Sequence, residues 1–144
     1  MLRLMYPIIY QSTTEVILMM QQLQFEASWN KAISPQDRKY IEKVFADTKH
    51  LNSIDVMFSP IREAINHEEA LLITVLIHNF TDKPLTFENK ELLYRIGGEV
   101  IAEKLFTLPR LVVPSKVSMP WTFIFPKGCY TPQTSFEGGR LEVE

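Results

Sequence analysis

Pro120-Trp121-Thr122-Phe123-Ile124-Phe125-Pro126 is the most informative stretch of this 144-residue chain. Together with the residues just before it, it places Val117, Met119, Trp121, Phe123 and Phe125 on one side and Ser118, Thr122 and Ile124 on the other. A period of two with aromatic enrichment predicts a β-strand with one face in a core. The natural partner is Ile73-Thr74-Val75-Leu76-Ile77-His78-Asn79, a second run rich in branched residues. Residues 71–77 are apolar on both faces, which predicts a central strand covered on each side. These two segments are expected to form the middle of a β-sandwich, with Trp29, Ile73, Val75, Ile77, Trp121, Phe123 and Phe125 as its core.

Further short strands flank this pair. Ile54, Val56 and Phe58 alternate before Pro60, and the pattern resumes from Ile61 to Ile65. Proline cannot donate to a ladder, so this segment is predicted to be an edge strand or bulged at Pro60. Val56, Phe58 and Ile61 are the candidate interaction edge. Asn66-His67-Glu68-Glu69 and Phe80-Thr81-Asp82-Lys83-Pro84 read as turns. Leu85 to Phe87 and Leu92 to Ile96 lead to Gly97-Gly98, a hairpin signal because both glycines can take positive φ. Val100 to Leu108 follows. Residues 109–115 are expected to cross over, and the regular part of the aromatic strand to begin at Trp121, after Pro120. A loop over 128–135 and a short last strand over 140–143 complete the pattern. Short strands at near-regular spacing predict a mostly β, immunoglobulin-like antiparallel sandwich.

One helix is expected, over about residues 35–48. Ser34 can cap its first turn and Pro35 suits the first helical position. Asp37 stands where a capping box has its acidic residue. Ile41, Val44 and Phe45 form a narrow apolar stripe. Arg38 with Glu42, and Lys43 with Asp47, are spaced for ion pairs of about 0.2–0.5 kcal/mol each. Packing must therefore hold the helix, and Trp29 is the expected anchor of the segment before it.

Length and composition suit one ordinary domain. Hydrophobic residues make up 46% and charged residues 22%, so a core can form without metal or disulfide support. The formal net charge of −2, with no polybasic run, argues against nucleic acid as a partner. Cys129 is the single cysteine and suits a reducing cytoplasm. The apolar start, residues 1–10, is broken by Pro7 and a polar stretch from Gln11 to Glu15. It has neither the cleavage site of a signal peptide nor the length of a membrane span. Residues 1–22 are read as an arm, with translation starting at Met19 or Met20 or the first residues forming an extra edge strand. Residues 23–144 are read as the domain.

Candidate chemistry is sparse. His50, His67 and His78 lack metal-ligand spacing, and no cofactor or metal is expected. His78 is expected to satisfy a local hydrogen bond. Cys129 has Lys127 nearby but no obvious base, so it reads as a loop cysteine. Asn79-Phe80-Thr81 matches a glycosylation acceptor but reads as a turn. Glu68-Glu69 is a charged turn. No catalytic residue is assigned.

The residues from Ser28-Trp29-Asn30-Lys31-Ala32-Ile33-Ser34, through Ile77-His78-Asn79 and Asp82-Lys83-Pro84-Leu85-Thr86-Phe87, to the aromatic strand resemble the SLAP domain of Gram-positive bacteria related to Bacillus and Listeria (Firmicutes). The resemblance runs from about residue 23 to 143, and the segment from Trp121 to Pro126 is its most specific part. The family is named for S-layer assembly proteins linked to accessory protein secretion, whose longer members carry the domain twice; this chain carries it once. The resemblance implies a non-catalytic protein-binding module with a protein partner. A self-associating structural protein, as a homodimer, is the alternative, with an enzyme of unrecognised site third.

Overall fold

The structure, a computed structural model, describes residues 20–48, 51 and 54–144. The element order among them is β1 (Gln22–Leu23), α1 (Ala27–Ala32), α2 (Pro35–Thr48), β2 (Val56–Ile65), β3 (Leu71–Asn79), β4 (Leu85–Ile96), β5 (Glu99–Val113), β6 (Val117–Phe125) and β7 (Arg140–Val143). The chain is mostly β, in two packed sheets, as expected for the immunoglobulin-like class. One sheet has the order β1-β6-β3-β2 and the other β5-β4-β7.

β3 and β6 pair antiparallel without a break, from Leu71 opposite Phe125 to Asn79 opposite Val117. The alternation then sends Leu71, Ile73, Val75 and Ile77, with Phe123 and Phe125, into the space between the sheets. Phe123 is fully buried, and its ring meets Phe58, Phe87 and Phe106 with centroids 6.2, 5.5 and 5.3 Å away. Trp121 packs against this core while only partly buried.

Local rules account for the ends and turns. Ser34 Oγ accepts the Asp37 N–H at 3.1 Å, the N-cap expected for α2. Gly97 and Gly98 take φ of 58° and 84° in the two-residue loop between β4 and β5, where most side chains would be strained. Asn66 Oδ1 accepts the N–H groups of Glu68 and Ala70 and closes the β2–β3 turn.

Several expectations need correction. A second, six-residue helix, α1, precedes α2 and has no buried residue. Trp29 sits on it, half-buried and outside the sandwich core. Asp37 bonds Arg62 at 2.8 Å in addition to its contact with the Ser34 cap. Arg38 bonds Asn30 Oδ1 at 2.7 Å and stacks over Phe25, whereas the expected pairs along α2 are not among the ion pairs of the described residues.

β5 does not stop before Pro109. Its pairing with β4 jumps from Val112 opposite Thr86 to Leu108 opposite Phe87. Residues 109–111 thus bulge out of the ladder, where a missing N–H costs little. Pro120 lies inside β6, opposite Leu76. Ser118 O accepts the Gln24 N–H, so by alternation the Pro120 nitrogen points to that same side, past the end of β1. Of the expected arm, residues 1–19 lie outside the described residues, and Gln22 is paired with Val117.

Phe123→Ala is expected to cost about 3–5 kcal/mol in urea unfolding, while Ile124→Ala, at a half-exposed position on the other face, changes stability by at most about 0.5 kcal/mol. Equal effects would show that the two faces of β6 are not as distinct as the burial implies.

Candidate interaction site

β2 is the outer strand of its sheet, and one of its long sides has no strand partner among the described residues. The Phe80 N–H donates to Asp55 O at 3.2 Å, in register with Val56 opposite Asn79. Antiparallel ladders alternate, so Met57 and Ser59 bond inward to β3 while the N–H and C=O groups of Val56 and Phe58 point outward. The register shifts between Pro60 and Arg62, the bulge expected from Pro60. Beyond it the Asn66 N–H donates to Ala70 O, which directs Arg62 and Ala64 to β3 and leaves Glu63 and Ile65 outward.

The other sheet offers a second free side at the same end of the sandwich. The Glu144 N–H donates to Glu91 O at 3.0 Å, so the main-chain groups of Leu141 and Val143 point away from β4. β2 and β7 together line a cleft of about 720 Å³, the lateral opening of the sandwich. Its wall includes Phe58, Glu63, Ile73 and Tyr94. Phe58 and Val56 both pack against the core while partly buried. The Tyr94 hydroxyl donates to Phe136 O, and its ring lies where a Cβ on Gly139 would be, 2.1 Å from Cζ. Only glycine fits at 139 beneath that ring. Burial first, then the Glu137 charge, pushes the Glu63 carboxyl above the usual carboxylate range.

Ile61 faces the other way. It lines a separate recess of about 500 Å³ with Trp29, Ile33, Tyr40, Ile41 and Thr122, between the helices and the outer face of β3 and β6. The three residues expected on one edge are therefore divided. Val56 and Phe58 border the cleft, and the bulge turns Ile61 toward the helices.

The least anticipated feature is polar. His78 is fully buried, with Nε2 2.8 Å from Ser59 Oγ and Nδ1 2.6 Å from Ser118 Oγ. Gln21 Nε2 donates to the same Ser118 Oγ at 3.1 Å. The ring stacks on Phe80 at 5.4 Å. This bond network ties three strands together, where the sequence suggested a local contact. Burial on both faces of residues 71–77 was the signal that could have placed His78 inside. Both ring nitrogens meet serine hydroxyls inside a fully buried site. Burial holds the imidazole neutral, with its pKa pushed down to about 4.

Asn79 is fully buried beside it. Its Nδ2 donates to the carbonyls of Lys83, Val113 and Pro114, and its Oδ1 accepts from Thr81. The turn reading of the Asn79-Phe80-Thr81 motif describes this geometry. His67 is exposed, 3.6 Å from Glu68, and His50 lies outside the described residues. Cys129 is half-buried in the loop after β6, and Lys127 pairs with Glu69 at 2.8 Å. No group of three or more His, Cys, Asp or Glu side chains among the described residues could hold a metal ion. No helix among them is long and apolar enough to cross a membrane.

Two outcomes follow from this geometry. Gly139→Ala is expected to cost about 1–3 kcal/mol, because the Tyr94 ring must move; thermal unfolding with Gly138→Ala alongside checks it. His78 makes the stability of the fold depend on pH. Its folded pKa lies below the unfolded value of roughly 6.5, so the contribution is complete above that pH and is lost as the pH falls toward about 4. His78→Leu should lose stability at neutral pH by leaving Ser59 Oγ without its ring partner and Ser118 Oγ with Gln21 alone, and should show a shallower decline between those values in urea titrations. An identical slope in both proteins would mean that the ring takes up its proton equally in both states.

No curated protein and no solved structure matches this chain. The SLAP domain family matches residues 23–138, which hold both helices and β2 to β6, with β7 beyond them. That span covers the aromatic strand, the buried His78 and Asn79 and most of the cleft wall, and the chain belongs to the SLAP domain family.

Proposed function

We propose that this SLAP domain is a non-catalytic protein-interaction module that takes up an extended segment of another protein along β2. The carrying observation is the outward-pointing main chain of Val56 and Phe58 at the mouth of the cleft. A segment pairing there adds a strand to the sheet and gains main-chain hydrogen bonds, while its inward side chains cover Phe58. Pro60 offers no N–H to the free side, so the added ladder lacks a bond there and a modest, reversible affinity fits this edge. The protein works by presenting surface. The full burial of His78, away from the surface, favours that reading over catalysis.

Family membership supports a setting in accessory protein export or S-layer assembly, with an export component or its client as the partner. The lone thiol of Cys129 suits the cytoplasmic side of such a pathway. Self-association is the second reading. Ile54 is 83% exposed and Met57 37% exposed on the same edge, and two copies of β2 could cover each other's apolar side chains.

Val56→Pro provides the test, since it removes an outward N–H that β3 does not use. Val56→Ala is the control, because it trims the side chain and keeps the N–H. Partner recovery from the native cell should fall at least about tenfold with the proline variant and stay near wild type with alanine. Equal recovery by both variants removes the edge from the proposal. Light scattering at several concentrations separates a partner complex from a homodimer.

A further inference from the structure

We infer that the segment docking on β2 carries a lysine or arginine four residues before the apolar residue that covers Phe58. This inference rests on the docking reading above and names the chemistry of its partner.

The cleft contains a charge that its own walls leave unanswered. Glu63 faces inward, opposite Ile73, which is 2% exposed. Its neighbours there are the core, Tyr94 and a second acid, Glu137. No ion pair among the described residues includes Glu63. Arg62, the next residue, is held by Asp37 at 2.8 Å. Arg140 lines the same cleft without pairing to it. A half-buried carboxylate beside a like charge favours a cation that arrives with its own hydrogen-bond donors.

The spacing comes from the bulge. Phe58 and Glu63 are five apart in sequence, yet their partners on β3, Ile77 and Ile73, are four apart. The bulge absorbs one residue and brings both side chains to the inward face. A strand added on the free side follows the same ladder. Its residues that meet Phe58 and Glu63 are then four apart and also face inward. Antiparallel addition, the more stable arrangement, puts the basic residue first. The lysine or arginine stem covers apolar wall while its head reaches Glu63.

An inward charge on an edge strand has a competing use, since it discourages pairing between copies. The experiment separates the two. Nine-residue peptides of alternating threonine and valine, with inward positions at 2, 4, 6 and 8, carry lysine, norleucine or glutamate at position 2, or lysine moved to position 3. Binding to the full chain and to Glu63→Gln is measured by fluorescence anisotropy at low salt, with circular dichroism confirming that the variant folds. The lysine-2 peptide is expected to bind the wild type about tenfold tighter than the norleucine peptide. Glutamate should weaken binding further, and lysine at position 3 should give no advantage. Glu63→Gln should erase the lysine preference while still binding the norleucine peptide. Equal binding of all peptides overturns the charge inference and leaves edge docking standing. Binding of none overturns edge docking itself. No lysine preference together with self-association of Glu63→Gln assigns Glu63 to guarding the edge and also overturns the inference.

Discussion

The unbroken pairing of β3 with β6 is the constraint on which the other elements depend. Nine consecutive residue pairs fix its register. A slip of one position would send Ile73, Val75 and Ile77 outward and bring Thr74 and His78 into the apolar layer. Phe123 reinforces this choice, because it fills the middle of the interface against rings from β2, β4 and β5. At one end of the pair the polar residues His78, Asn79 and Ser118 supply a second, directional restraint. Hydrophobic burial favours the two layers in general; the hydrogen bonds select one alignment of the strands.

Much of this architecture could be read in the chain, and specific residues show why. The alternation around Phe123 and Phe125 and the two-sided apolar run from Leu71 to Ile77 carry information about their environment within a few residues. Ser34-Pro35 and Gly97-Gly98 are similarly local, because caps and tight turns are set by backbone sterics. What was not legible depended on partners distant in sequence. Pro109 and Pro120 looked like breaks, yet one falls in a bulge of β5 and the other faces a side where β1 has ended. The helix α1 is six residues long, has no buried residue and is held by a Glu26 cap, so no periodicity announced it. Arg38 found Asn30 and Phe25 more accessible than Glu42.

The cleft was only half legible. Val56 and Phe58 could be placed on an edge by the proline near them. Its other wall comes from β7, far along the chain, and no local pattern joins the two. Nor could alternation alone assign Glu63 to the inward face, since counting by twos from Phe58 passes through Pro60 to Arg62. One unpaired residue reverses that parity. A short sequence irregularity thus determines which charge lines the opening of the sandwich.

Asn79 has a consequence for how such domains can diverge. Its single amide group holds the carbonyl of Lys83 after β3 and those of Val113 and Pro114 before β6. Those two connections therefore share one buried donor, and an insertion in either one removes part of its hydrogen bonding. The stretch from Pro132 to Ser135 carries no such tie and is exposed throughout, so variation in length is most easily absorbed there.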